Sequence, residues 1–373
     1  MESYRLNSRV VDGDKEFLIQ TLNDTEQGVV KTSIFADGEF LDADILPHSE
    51  EISDDQILNM VKMAHSEKKS ELEYLLKCLK EVMSQGSPEI MNQLGVALFY
   101  KRLYPESAQL FRAITKMKPD HHEAWSYLCR AQLALKDANE AVKAGNRAVE
   151  LKPTFADYRN YLGEAYQATN SCRRAIMEFE EAIKQNVYYA DAYFNLAITY
   201  ILNEVNREDY NLSSDFDSLS IDMLKKAVLI YPYYKCTAYD EAVNAIKKRD
   251  PKLAYKLLME IRNDKEERLR REKASHFQRF LMYTDWINHN NIADRIKHLE
   301  REIEKNPGYV DLYYEVAVCY LHQSKFSWEK GIDHFKRALG INPTLKKAMR
   351  ARELAEDQYL KLTDAVFDIS EKT

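Results

Sequence analysis

The 373-residue chain is 45% apolar, enough to bury a large core, and with only ten glycines and nine prolines and no low-complexity tract it reads as ordered and mostly helical. A net charge of −7 argues against nonspecific nucleic-acid binding by the molecule as a whole. The first five residues lack the apolar core of a signal peptide, and the longest apolar run, 190–202, is broken by Asp191 and Asn195. Membrane insertion is excluded on that reading. The five cysteines, Cys78, Cys129, Cys172, Cys236 and Cys319, are scattered and form no paired ligand motif, so they are expected to be reduced and structural in a cytoplasmic protein.

In chain order, residues 4–11, 16–22, 29–35 and 39–46 are short runs rich in apolar and β-branched side chains, separated by turn-forming clusters around Gly13, Gly28 and Gly38. That pattern predicts a four-stranded antiparallel meander. A sheet this small needs support on one face. The support predicted is the helix that opens at Ser53, with Gln56 placed to complete a capping box, and runs to Ser84 with an apolar stripe through Ile57, Val61, Leu72, Leu75, Leu76 and Leu79. At roughly 30 residues, or about 45 Å, it can bridge the sheet to the helices downstream. Residues 1–60 hold 14 acidic against four basic side chains; a solvated face is preferred here to a dock for a basic partner.

From residue 88 the chain repeats. Leu94, Leu128, Leu162 and Leu196 stand 34 residues apart, and each is followed by a small residue: Gly95, Cys129, Gly163 and Ala197. Thirty-four residues is no whole number of helical turns, so the repeating unit is supersecondary. Within one unit Trp125, Leu128, Cys129 and Gln132 fall at helical spacing, Ala141, Gly145 and Ala148 do so again, and Pro153 closes it. With Leu162, Gly163, Tyr166, Ala175, Phe179 and Ala182, then Tyr193, Asn195, Leu196, Ala197 and Tyr200, the sequence resembles the tetratricopeptide repeat (TPR) family over about 88–343. Small residues at Gly163, Ala175 and Ala182 would let paired helices approach, and Tyr166 and Phe179 would fill the space between pairs.

The fourth unit is interrupted by a polar, acidic insertion, 203–218, before Leu224, Ala227 and Pro232 resume the pattern; insertions in solenoids map to one face. Residues 237–248 and 251–262, the second opened by Asp250 and Pro251, read as a degenerate fifth pair. Residues 247–273 carry 11 basic and six acidic side chains. An exposed helix laced with ion pairs is preferred there; a nucleic-acid-binding patch is the alternative. Phe277, Phe280, Leu281, Tyr283 and Trp286 come next. Ile303 and Pro307 close a sixth unit, and a seventh helical hairpin is expected from Tyr313, Val316, Ala317 and Tyr320 through Gly331, Phe335 and Ala338 to Pro343, with a polar capping helix over 345–362. The expected organisation is therefore a β-meander and bridging helix (1–86), repeats one to four (87–232), degenerate and C-terminal repeats (233–343), and a capping helix with tail (344–373). The fold class is mostly α, a helical-hairpin solenoid with a small N-terminal α+β module.

No catalytic constellation is present: there is no glycine-rich phosphate loop, nucleophile elbow or HExxH. His121, His122 and Glu123 have no second pair to complete a metal shell. The reading is a non-enzymatic scaffold without metal or cofactor. What the resemblance implies is a concave groove lined by the first helix of each repeat, which binds a partner segment. Carried over, its lining is Asn92, Val96 and Phe99; Glu123, Ser126, Arg130 and Leu133; Asp157, Asn160, Glu164 and Gln167; and Phe194, Ile198 and Ile201. Glu123, Asp157 and Glu164 have the wrong sign for the carboxylate clamp that holds chaperone C-termini, so a heat-shock chaperone is not the implied partner. Arg130, Asn160, Glu164 and Phe194 are the residues expected to touch a protein or peptide. Exposed apolar residues at Phe194, Ile198 and Ile201 would need covering by a partner segment, by the chain's own insertion or by a second copy.

Overall fold

The structure, a computed structural model, describes residues 4–49, 52–207, 215–281, 292–305 and 310–371. Strands β1 (Arg5–Asp12), β2 (Lys15–Asp24), β3 (Val29–Ala36) and β4 (Glu39–Pro47) pair antiparallel in sequence order, the meander that the turn clusters predict. In the β3–β4 turn Asp37 and Gly38 both adopt positive φ, 49° and 86°, as a tight hairpin turn requires. Alternate residues Phe17, Ile19 and Thr21 of β2, with Val30, Thr32 and Ile34 of β3, are buried. Helix α1 (Asp54–Gln85) packs against β1, β2 and β3. Its start is the capping box of Ser53 and Gln56, and Ile57 and Val61 join Val30 in one core cluster. One polar cluster crosses that interface: His65 Nδ1 lies 3.0 Å from Thr21 Oγ1 and its Nε2 2.8 Å from Ser8 Oγ.

Helices α2 (Pro88–Tyr100) to α9 (Phe216–Ile230) are arranged as pairs: α2 with α3 (Tyr104–Met117), α4 (His122–Ala134) with α5 (Ala138–Leu151), α6 (Ala156–Ala168) with α7 (Cys172–Gln185), and α8 (Ala190–Asn206) with α9. The helices of each pair also pack on the next pair's first helix. The turn inside each hairpin recurs in its backbone. Arg102, Lys136 and Asn170, spaced by 34, have φ of 61°, 62° and 56°. Each of their amides donates to the carbonyl three residues back, at Phe99, Leu133 and Gln167, and the next amide donates to the carbonyl five back, at Leu98, Gln132 and Tyr166. These bonds satisfy carbonyls left over at the end of the first helix. Arg249, with φ 53°, makes the same two bonds, to Ile246 and, through Asp250, to Ala245. So α10 (Thr237–Lys247) and α11 (Pro251–Leu281) begin as a fifth repeat pair. Helix α11 then continues well beyond residue 262.

The chain divides into two compact units, 1–277 and 278–373. In the second, α12 (Ile292–Lys305) contributes Ile292 and Ile296 to a small core with Cys319. In place of the expected seventh hairpin there is one unbroken helix, α13 (Val310–Ile341). Among the described residues nothing lies within 4 Å of where a Cβ on Gly331 would stand, so this glycine makes no close helix approach, and the helix runs on through it. Helix α14 (Lys346–Glu371) extends past residue 362, the expected end of the capping helix. Helix α8 likewise runs to Asn206, into the expected insertion, whose middle, 208–214, lies outside the described residues, as do Tyr283, Trp286 and Pro307.

Close approach within the repeats is carried by glycine. A Cβ on Gly163 would stand 2.5 Å from Phe179, and one on Gly95 2.9 Å from Phe111, both rings being fully buried. Leucine at 163 should therefore destabilise the first unit by about 3 kcal/mol through overpacking, well beyond the ~1 kcal/mol that replacing a helical glycine returns. Gly331→Ala, with open space around it, should stabilise its helix by up to ~1 kcal/mol. Thermal melts of both variants check the contrast; equal effects at the two positions would refute it.

Candidate helix-binding groove

Helices α2, α4, α6 and α8 touch one another as well as their partners, so their inward faces make one continuous surface. Toward α2 and α4 the surface is aromatic. The Arg130 guanidinium lies 4.6 Å from the Phe99 ring centre, 5.0 Å from that of Tyr127 and 4.7 Å from that of Tyr161, a cation held by ring faces. Toward α6 and α8 it is polar. Glu164 Oε1 accepts from Asn160 Nδ2 (2.7 Å) and from Asn195 Nδ2 (2.9 Å). Gln167 Nε2 donates to the Asn195 carbonyl (3.0 Å) and to Thr199 Oγ1 (2.7 Å).

Helix α11 lies against this surface. Its first half is apolar where it meets the repeats: Ala254, Leu257, Leu258 and Ile261 share a core cluster with Phe194, Ile198, Ile201 and Tyr234. Burying the two leucines and the isoleucine contributes on the order of 5–9 kcal/mol before ordering costs. Beyond Ile261 the contacts are charged. Arg262 Nη1 donates to Gln167 Oε1 (3.1 Å) and Asn195 Oδ1 (3.4 Å). Lys265 pairs with Asp191, donates to Tyr234 Oη (3.1 Å), and sits 5.0 Å from the ring centres of Tyr231 and Tyr234.

The far end reaches the sheet. Arg270 Nη1 and Nη2 donate to Asp42 Oδ2 (3.1 Å) and Oδ1 (2.8 Å) of β4, and Nη1 also to the Tyr100 carbonyl (2.8 Å). Both Arg270 and Asp42 are buried, at 8% and 7% exposure. Glu267 links Arg270 to Arg102, which donates to the Leu41 carbonyl. The Arg270 hydrogen bond, opposed by partial burial and aided by Arg271 and Arg102, holds the Glu267 carboxyl well below the usual carboxylate range.

These contacts correct one expectation and narrow another. Phe194, Ile198 and Ile201 are not an open apolar end of the groove; they are buried, Phe194 stacked on Tyr234 with ring centres 4.2 Å apart, because the α10–α11 pair packs over them. The basic stretch 247–273 does carry the expected i,i+4 pairs, Lys256 with Glu260, Arg262 with Glu266 and Arg271 with Glu267, and most of its cations are exposed, but Arg262, Lys265 and Arg270 are engaged with other parts of the chain. Of the other residues expected to line a free groove, Asn92, Val96, Ser126, Asn160 and Gln167 are buried, and Phe99, Glu123, Arg130, Leu133, Asp157 and Glu164 are half-buried. The structure joins Asn160, Glu164 and Gln167 in one polar array and leaves Asn92, Val96 and Ser126 in helix packing. Asp191, Asp42, Lys265 and Arg270 were not singled out from sequence. The opposite signs of the 247–273 stretch and of the groove acids were the available signal for Lys265; Asp42, 228 residues from Arg270, had none. Among the described residues no group of three or more histidine, cysteine or acidic side chains could hold a metal ion, and none of the helices is long and apolar enough to cross a membrane.

The profile of the tetratricopeptide repeat family matches residues 92–154. The chain carries tetratricopeptide repeats. Two curated relatives match part of the chain: anaphase-promoting complex subunit 3 of Schizosaccharomyces pombe is 20% identical over 162 residues, 34% of this chain and 24% of that protein. The peroxisomal targeting signal receptor of Eremothecium gossypii is 27% identical over 77 residues, 21% of this chain and 14% of the receptor. The chain thus matches a quarter or less of either relative's length. Among solved structures, a thermophilic TPR protein of Thermus thermophilus is 18% identical with a TM-score of 0.36, covering 63% of this chain and all of that one.

Burial first, then the Glu266 carboxylate, push the Glu164 carboxyl up to about 7, against the pull of Arg262 and Arg130. A carboxyl whose folded pKa is raised contributes stability that is full below its unfolded pKa and lost as pH rises through 7. Glu164→Gln, which keeps an oxygen for Asn160 and Asn195, should therefore flatten the fall in melting temperature between pH 5 and pH 8 relative to the parent. Parallel curves would show that Glu164 does not titrate in this window.

Proposed function

We propose that this protein is a non-enzymatic protein–protein interaction scaffold whose concave TPR face recognises a helix carrying cations beside a short apolar stripe. The observation that supports this is α11 itself: Leu258 and Ile261 seat on the cluster around Phe194, and Arg262 and Lys265 meet Gln167, Asn195 and Asp191. Apolar anchors in register with charge partners are how grooves select a helix, and acidic and amide groups on the groove set the sign of what they accept. Asn160 and Glu164 act in this reading as the polar floor beneath the ligand's cations, Arg130 fixes the aromatic wall, and Phe194 supports the ligand through Tyr234. One relative is by name a receptor for a targeting signal, in keeping with recognition of a segment. A nucleic-acid role for 247–273 has less support, because its three central cations already have partners in the chain.

The test uses a fluorescent peptide of residues 251–273 and the full chain carrying Arg262→Glu and Lys265→Glu, which weakens its own α11 in the groove. Anisotropy should report saturable binding that falls about tenfold or more, some 1.4 kcal/mol, when Asp191→Lys is added. No binding, or binding indifferent to Asp191 in a chain of unchanged circular dichroism, would overturn the proposal.

A further inference from the structure

Helix α11 is held in two different ways along its length. Its apolar anchors end at Ile261; from Arg262 to Lys273 what is buried is charge. Buried ion pairs yield little net stability once desolvation is counted, and Arg262 Nε is buried without a hydrogen bond of its own. Releasing this half therefore costs far less than releasing the anchored half. It also frees groove acceptors whose preference for a helical cation is already met, in cis, by Arg262 and Lys265.

Resting on the helix-recognition reading above, we propose that residues 262–273 are an internal stand-in for the partner's cations, so that a cationic helix from another protein reaches Gln167, Asn195 and Asp191 only after this half of α11 has left the groove, the anchored half staying on the Phe194 cluster, with Arg270 on Asp42 as the latch. The latch suits the task because it lies outside the groove: Asp42 belongs to β4, whereas the groove acceptors Gln167, Asn195 and Asp191 belong to α6 and α8. Opening it leaves the recognition surface chemically unchanged.

The latch can be locked and unlocked in one sample. In a Cys236→Ser background, which removes the exposed thiol among the cysteines Cys78, Cys129, Cys172, Cys236 and Cys319, Asp42→Cys and Arg270→Cys are bridged by a bis-maleimide whose linker contains a reducible disulfide. A peptide of residues 262–273 is then titrated before and after reduction, with the Arg262→Glu, Lys265→Glu chain as a second, independently opened form. Binding at least tenfold tighter after reduction, with faster hydrogen exchange over 262–273, is the expected result. Equal affinity before and after reduction would overturn the gate while leaving helix recognition intact. No binding in either opened form, both folded by circular dichroism, would overturn helix recognition and the gate with it. Dimers seen by light scattering in the opened forms without peptide would overturn the assignment to a separate partner, since a second copy's α11 would then be the ligand.

Discussion

A guanidinium withdrawn from water must find a carboxylate, and Arg270 finds Asp42 across 228 residues of sequence. That pair cannot form unless three things hold together. The β3–β4 hairpin must present Asp42 inward; α2 must end at Tyr100 so that its last carbonyl is free to accept; and α11 must continue past the end of an ordinary repeat helix. Removing one partner of such a pair leaves an uncompensated charge indoors, which costs several kcal/mol. The pair is thus a stronger statement about geometry than about net stability.

Its consequence is an unusual topology of contacts. Stacked repeats are quasi-one-dimensional, each touching only its neighbours, and the pairs from α2 to α9 obey that rule. Helix α11 does not. It leaves the fifth pair, meets α8 at Asp191 and Asn195, meets α6 at Gln167, and ends on α2 and the sheet. The N-terminal sheet, otherwise attached through α1 and through ion pairs such as Lys15 with Glu106, is clasped to α2 by the same helix. The groove, the sheet and the fifth repeat therefore share one set of contacts, and a change at one is felt at the others.

Much of this was legible from local pattern. The four strands, the Ser53 cap, the 34-residue period and the small residues at Gly95 and Gly163 all derive from short-range rules, and α10 with α11 was recognisable from Asp250 and Pro251. The errors have one source. Periodicity reports which face of a helix is buried, not by what. Phe194, Ile198 and Ile201 lie on an apolar face that periodicity marks as buried, but their cover, about 50 to 70 residues downstream, carries only a degenerate repeat signature. Most of the charge run after Lys265 is indeed a solvated face; that Lys265 and Arg270 turn inward is hidden because pairing within α11 is indistinguishable by composition from pairing with Asp191 or Asp42. Gly331 shows the converse: a small residue in repeat register with open space where a Cβ would stand.

The claim that α11 closes on the sheet through one buried pair is tested most directly by a double-mutant cycle on Asp42 and Arg270, read from the unfolding of the first unit. Each alanine variant alone should cost about 3 kcal/mol, and the double variant little more than either, giving a large coupling energy. Additive costs, with coupling near zero, would mean that the two side chains do not meet and that α11 lies elsewhere.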